Sequence, residues 1–101
     1  MSLRSSFTRQ DALVAVQGEL VAEMAHTLGR NGRRVETALG RLAAFEAAPG
    51  TPEEREALVR AAATAVWYFF IQREACGLRD HRPVIAQHQI PREVLRRLGA
   101  S

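Results

Sequence analysis

The sequence contains no lysine, a single cysteine and few aromatic side chains. All fourteen basic residues are arginine, and the aromatic share is 6%. Because alanine is abundant as well, the arginines reflect a GC-rich genome better than selection for guanidinium chemistry. Cys76 has no second cysteine to pair with, which excludes an intramolecular disulfide and favours the cytoplasm. The apolar share of 47% is typical of a globular domain and argues against disorder.

Long apolar runs are also absent. The longest stretch without a charged residue, 61–72, is well short of the roughly 20 residues that a membrane helix needs. Residues 1–10 lack the apolar segment of a signal peptide. We therefore expect a soluble, cytoplasmic protein with one helical domain over residues 1–101 and disorder over residues 1–7. The net charge of +3 is modest and favours a slightly basic surface over a dedicated anionic partner.

Apolar residues at helical spacing predict a long first helix. Thr8 is a suitable N-cap, and Pro49 and Gly50 end the pattern after Ala47. Gly29 and Gly32 invite a turn, so two shorter helices are the alternative. The apolar phase does not change across these glycines, which favours one helix. Its apolar residues are Leu13, Val16, Leu20, Met24, Leu28, Val35, Leu39, Leu42 and Phe45.

Start and stop signals predict three further helices. Thr51 as cap and Pro52 at the first helical position begin a helix that should run to about residue 76 and end at Gly77. Two short helices follow, one after a cap at Asp80 and one from Pro91 to Leu98. No alternation typical of strands is present. The sequence thus predicts an all-α fold with a long helical hairpin and two short C-terminal helices.

An aromatic segment at 66–71 is apolar around the whole helix, which predicts a turn buried on every side. Folding the hairpin at Gly50 places residues 67–71 opposite residues 29–33, so we expect the Trp67 ring to be buried against Gly29 and Gly32. Residues 8–22 of the first helix then project past the second helix by about 22 Å. We expect the short C-terminal helices to cover part of this projection and a second copy of the chain to cover the rest.

Small residues line one face of the first helix and would let another helix approach closely. This stripe predicts a homodimer in which two hairpins form a four-helix bundle. A monomer closed by its own C-terminal segment is the alternative. The expected interface residues are Gly18, Ala22, Ala25, Gly29, Gly32 and Gly40.

A basic stripe occupies the C-terminal half of the first helix. It consists of His26, Arg30, Arg33, Arg34 and Arg41. The stripe is long enough to follow several phosphates, but no exposed aromatic residue or nucleic-acid-reading motif accompanies it. Asp11, Glu19 and Glu23 lie in the preceding half, so two antiparallel first helices would place acidic halves against basic halves. We favour this interpretation over nucleic-acid binding.

The densest cluster of functional groups is the segment 72–80. A helix C-terminus has the wrong dipole sign to stabilise a thiolate at Cys76, and no third group orients His81, so a buried structural cysteine is favoured over a nucleophile. The histidines and Cys76 lack the spacing of metal ligands, and we expect no metal or cofactor. The cluster is interpreted as a structural corner formed by Arg73, Glu74, Arg79 and Asp80.

Three segments carry a resemblance to known proteins: residues 28–34, 72–80 and 91–94. They resemble a family of small uncharacterised proteins from GC-rich bacteria, known as a domain of unknown function. The resemblance implies a bacterial, intracellular protein and assigns no catalytic or binding residue. Since no catalytic constellation is visible either, we expect a non-enzymatic homodimerisation or protein-interaction module. A nucleic-acid-binding accessory protein is the alternative.

Overall fold

The computed structural model describes residues 6–99 and contains four helices in chain order. They are α1 (Arg9–Ala47), α2 (Pro52–Ala75), α3 (Arg82–His88) and α4 (Arg92–Arg96). No strand occurs in this range, which confirms the all-α prediction. Ser6 and Phe7 are exposed and not helical, whereas the predicted disorder at residues 1–5 lies outside the described residues. The extents of 76 × 23 × 23 Å describe an elongated molecule.

A single helix spans both glycines of the first segment, as predicted. Thr8 and Asp11 form a reciprocal cap: the Asp11 amide donates to Thr8 Oγ1 over 3.0 Å, and the Thr8 amide donates to Asp11 Oδ2 over 2.9 Å. At 39 residues, α1 is about 58 Å long. This length is more than half again that of α2, which has 24 residues.

Both ends of α2 follow from local chemistry. Thr51 Oγ1 accepts a hydrogen bond from the Glu54 amide over 3.1 Å at the N-terminus. At the C-terminus, Gly77 adopts a φ of 85°, and the Leu78 amide donates to the Arg73 carbonyl over 2.9 Å. Glycine adopts this left-handed conformation without strain, so it ends the helix and turns the chain back.

The core lies between the C-terminal half of α1, α2 and the C-terminal segment. Val35 of α1, Val59 and Val66 of α2 and Val94 of α4 are completely buried. Because fully burying one such side chain contributes about 1.5 to 3 kcal/mol, these contacts hold the hairpin closed. The remaining buried side chains are Leu42, Ala62, Ala63, Phe69, Phe70, Val84 and Ile90.

The aromatic segment is buried on one side only, so the expectation of burial all round was wrong. Val66, Phe69 and Phe70 are buried, whereas Trp67, Tyr68 and Ile71 are 40%, 56% and 46% exposed. Phe69, and not Trp67, faces a glycine of α1: its ring atoms lie 3.7 to 3.8 Å from where a Cβ on Gly32 would stand. An aromatic ring does pack on a glycine of α1, but α2 is rotated so that Trp67 points outward beside Tyr68, with ring centroids 5.2 Å apart.

The C-terminal segment packs along the hairpin and leaves the projecting part of α1 uncovered. His88 meets the Phe69 ring edge to face at 5.6 Å, and its Nδ1 lies 3.8 Å from Glu36 Oε1. The last helix, α4, packs mainly on α2. The expectation that the short helices cover part of residues 8–22 was therefore wrong, because their apolar side chains are used on the hairpin itself.

Ion pairs fasten α4 near the turn of the hairpin. Arg55 donates from Nε to Glu46 over 2.7 Å and from Nη2 to Glu93 over 2.8 Å, which ties α1, α2 and α4 together. Glu56 accepts from both terminal nitrogens of Arg97. Hydrogen bonds from these arginines lower the pKa of Glu93 and of Glu56 below the ordinary value of 4.5.

Truncating Phe69 to alanine should destabilise the protein by about 3 to 5 kcal/mol, because it leaves a cavity against Gly32 in the core. Trp67→Ala is the matched control and should cost at least about 1 kcal/mol less, since Trp67 is 40% exposed. Urea denaturation followed by circular dichroism measures both. Equal losses would contradict the assigned rotation of α2.

Acid should weaken the attachment of α4. Because Glu56 and Glu93 have lowered pKa values in the folded state, their contribution to stability is present above about pH 4.5 and is lost as pH falls through the lowered values. The free energy of unfolding should be measured from pH 7 to pH 2.5 for the wild type and for the double variant Glu56→Gln with Glu93→Gln. At pH 7 the wild type should be the more stable of the two. The two values should converge as the pH falls. A difference in unfolding free energy that is the same at every pH would contradict the lowered pKa values of Glu56 and Glu93.

Candidate interaction surfaces

The first surface is the N-terminal part of α1, residues 9–23, which we call the overhang. It extends beyond the end of α2, and its large apolar side chains are exposed. These form what we call the exposed seam: Leu13 (57%), Val14 (60%), Val16 (59%), Leu20 (58%) and Val21 (65%). Phe7, just before the helix, is 75% exposed. Scattered exposed apolar residues are common, whereas a contiguous set on one helix is a candidate for a contact surface.

The exposed seam continues the face of α1 that packs against α2. Val14 and Val21 precede Leu28, Val35 and Leu42 at steps of seven residues, and the latter three contribute to the core. Seven residues are close to two helical turns, so these side chains lie on one side of the helix. The overhang thus presents the same apolar face that packs in the core farther along α1, but here this face is exposed to water. Sequence reasoning missed Val14 and Val21, although the seven-residue spacing would have identified them.

The predicted interface of small residues divides into two parts. Gly32 packs on Phe69 within the chain, and at Gly29 an added Cβ would meet only Arg33 of the same helix. Gly18 and Gly40 have open space where a Cβ would stand, and Ala22 and Ala25 are exposed. The structure therefore leaves Gly18, Ala22, Ala25 and Gly40 accessible and uses Gly32 inside the fold.

The second surface is a groove between α1 and α2, which we call the basic groove. It has a volume of about 530 Å³ and brings together four of the arginines of the predicted stripe. Its floor is formed by Ala38 of α1 and by Leu58 and Ala61 of α2, which sequence reasoning did not connect with the arginines. His26 lies outside it. The rim consists of Arg30, Arg33, Arg34, Thr37 and Arg41.

The four arginines of the basic groove have no carboxylate partner among the described residues. Within residues 6–99, none of the four is in a salt bridge, and Arg30 donates to Thr27 Oγ1 over 3.1 Å. Of the other described arginines, Arg55, Arg60, Arg82 and Arg97 are each paired with a carboxylate, and the remaining five are not. The groove therefore concentrates uncompensated positive charge on one face of the hairpin.

The hydrogen bonds of the predicted structural corner run mainly to His81 and Arg82. Arg73 donates to the Asp80 carbonyl over 2.8 Å and from Nε to His81 Nδ1 over 3.2 Å. Glu74 contacts His81 Nε2 at 2.8 Å. Asp80 pairs with Arg82 at 3.0 Å, and these hydrogen bonds lower its pKa to about 2. Arg79 is exposed and takes no part in this network within the described residues.

Asp80 does not cap α3 as expected. The N-cap of α3 is His81, which makes no capping hydrogen bond, and Asp80 instead accepts from the amide of Arg82 over 3.0 Å. His81 stacks on Phe70 with ring centroids 4.1 Å apart and planes 3° from parallel. Stacking on a buried ring and two hydrogen bonds fix the imidazole as part of the turn.

Both ring nitrogens of His81 have hydrogen-bond partners other than the Cys76 thiol. Since Arg73 donates to Nδ1, the neutral ring carries its proton on Nε2 and donates to Glu74. Cys76 is partly buried, with Gln72 Nε2 at 3.9 Å from its Sγ. The imidazole is thus held by partners other than the thiol. Among residues 6–99, no three His, Cys, Asp or Glu side chains are grouped so that they could hold a metal ion.

The chain belongs to a family of unknown function, DUF6665, whose family model matches residues 1–101. This confirms the resemblance to a family without an assigned activity, while a bacterial origin stays a prediction. No curated protein and no solved structure matches the chain. In the part of the chain that the structure describes, no helix has the length and apolar content needed to cross a membrane.

Replacing Gly18 or Gly40 by alanine should stabilise the protein by about 0.5 to 1 kcal/mol each, because both lie inside α1 and alanine restricts the unfolded chain more. An added Cβ has open space at both positions. Thermal and urea denaturation measure the gain. A loss of stability at either position would mean that another chain packs closely on that glycine.

Proposed function

We propose that this protein is a non-enzymatic homodimerisation module and that the overhang of α1 is its dimerising element. The observation that carries this proposal is the exposed seam, five large apolar side chains that are each 57% to 65% exposed. Burying such side chains is favourable by roughly 25 cal/mol for each Å² removed from water. An amphipathic helix with this face open to water is typical of one that packs against a partner.

A second copy of the chain is the favoured partner. The exposed seam is the same kind of surface that α1 presents to α2, so it fits another helix with an apolar stripe. A small domain buries a smaller fraction of its surface than a large one, so burial against a second copy would add to its stability. In a dimer with a two-fold axis, the overhang of each copy would pack against the other copy.

The absence of enzymatic activity is part of the proposal. The nitrogens of His81 are committed to Arg73 and Glu74, and the partly buried Cys76 lies at the end of α2, where the helix dipole disfavours a thiolate. Neither residue has the partner that would activate a nucleophile. These contacts support a structural role for the corner between α2 and α3.

Nucleic-acid binding is the second candidate function, supported by the four arginines of the basic groove that lack carboxylate partners. Such a cluster can bind phosphates with strong salt dependence. The groove has no aromatic side chain on which a base could stack, although stacking is a common part of single-strand binding. We therefore rank this function below dimerisation.

Sedimentation equilibrium should give about twice the chain mass of 11.2 kDa at micromolar concentration. Leu20→Lys should weaken the dimer at least about tenfold, because it places a charge in the exposed seam. Ala22→Lys is the matched control, since it puts the same side chain two residues away on the small-residue face. It should leave the dimer intact.

The two variants also distinguish the exposed seam from the small-residue stripe. If Ala22→Lys dissociates the dimer and Leu20→Lys does not, the stripe is the interface. A wild-type protein that is monomeric at 100 μM, about the weak end of specific association, would contradict the proposed function. Circular dichroism of both variants checks that α1 stays helical.

A further inference from the structure

We infer that the overhang of one copy lies in the basic groove of a second copy, antiparallel to its α1, so that each copy supplies the fourth helix of the other's bundle. This inference rests on the proposed dimer and names the site that receives the overhang. It assigns a role to the basic groove and to the acidic residues that border the exposed seam.

The basic groove lies between α1 and α2, and no residue of the C-terminal segment lines it. The C-terminal segment covers the hairpin on the side of Glu36, where His88 docks, and the basic groove lies on the other side of α1. Its floor of Ala38, Leu58 and Ala61 has small or aliphatic side chains, which allow a helix to approach closely. A fourth helix placed there would convert the hairpin and its C-terminal segment into a bundle.

The overhang carries acidic residues next to its apolar face. Glu19 follows Val16 by three residues, and Glu23 follows Leu20 by three, so each carboxylate neighbours a side chain of the exposed seam. Glu19 and Glu23 are exposed, and neither is in a salt bridge within residues 6–99. A groove that accepts the seam therefore also meets two free carboxylates at its edge.

One antiparallel register satisfies both charges. Glu19 lies four residues before Glu23, and Arg34 lies four residues after Arg30. When the partner helix runs in the opposite direction, Glu19 comes to the level of Arg34 and Glu23 to the level of Arg30. Because the dimer is two-fold symmetric, this register creates four such pairs. Charges that flank an apolar helix contact commonly set its direction and register.

The same register aligns the apolar surfaces. Leu13 and Val16 of the overhang come to the level of Gly40 and Thr37 in the partner's α1, beside the groove floor at Ala38. The overhang, residues 9–23, then faces residues 30–44, the stretch of α1 that borders the groove. The overhang thus matches the groove in length, in charge and in the position of its apolar residues.

A nucleic acid in the basic groove is the competing occupant. It would neutralise the arginines, but it would leave the exposed seam in water and give Glu19 and Glu23 no partner. An acidic, apolar helix covers the floor of the groove and also pairs with Arg30 and Arg34 on its rim. The observations therefore favour a second copy of this chain.

Charge reversal tests the register. Variant A carries Glu19→Arg with Glu23→Arg, and variant B carries Arg30→Glu with Arg34→Glu. Each alone places like charges at every proposed pair and should raise the dimer dissociation constant at least about tenfold. An equimolar mixture of A and B restores opposite charges at all four pairs. It should form a heterodimer within about threefold of the wild-type dissociation constant.

The control for variant B is Arg79→Glu with Arg92→Glu, which changes the net charge equally at exposed positions outside the groove. Its dissociation constant should stay within about twofold of wild type, because it touches no proposed pair. Sedimentation with one fluorescently labelled partner measures all mixtures, and circular dichroism checks folding. If a double variant does not fold, the single variants Glu23→Arg and Arg30→Glu replace it and should show the same loss and recovery.

The outcomes separate this inference from the proposed function. A monomeric wild type would contradict both. A wild-type dimer that variants A and B leave unchanged would overturn the inference while the dimer stands. Salt-sensitive binding of a duplex or single-stranded oligonucleotide that variant B abolishes, with an unchanged dimer, would identify the groove as a nucleic-acid site and also overturn the inference.

Discussion

The difference in length between α1 and α2 determines most of the other features of this molecule. The 39 residues of α1 exceed the 24 of α2 by fifteen, so the second helix can cover little more than half of the first. The C-terminal segment does not make up the difference, because Val84, Ile90 and Val94 are buried in the core of the hairpin. About 22 Å of apolar helix face is left in water. The hydrophobic effect favours any arrangement that buries this face.

Within the hairpin, the described residues combine a small aliphatic core with ion pairs at its rim. Four completely buried valines hold α1, α2 and α4 together. Arg55 of α2 pairs with Glu46 of α1 and Glu93 of α4, and Arg97 at the end of α4 pairs with Glu56 of α2. Exposed ion pairs contribute little to stability individually. Their effect here is geometric, because they define which end of the hairpin the last helix occupies. That choice leaves the overhang and the basic groove uncovered.

Much of the fold could be predicted from the sequence, because helix signals are local. Thr8, Thr51 and Gly77 act within one helical turn, and each marks the boundary that it predicts. The outward rotation of Trp67 was not predictable in the same way. A segment that is apolar all round gives no preferred face, so its rotation depends on which ring fits Gly32. Similarly, Asp80 could cap a helix or pair with Arg82, and only the path of the chain decides between them.

In the candidate sites, too, the features set by local sequence could be predicted, and those set by contacts between helices could not. The arginines of α1 could be placed on one face from their spacing, but the groove needs Leu58 and Ala61 from another helix, and sequence spacing does not report contacts between helices. The acidic and basic halves of α1 are separate in sequence and cannot meet within one straight helix. A rigid helix that keeps opposite charges about 10 to 25 Å apart cannot neutralise itself. Its charges therefore remain available to another molecule, and an antiparallel copy of the same helix brings opposite charges to the same level at both ends.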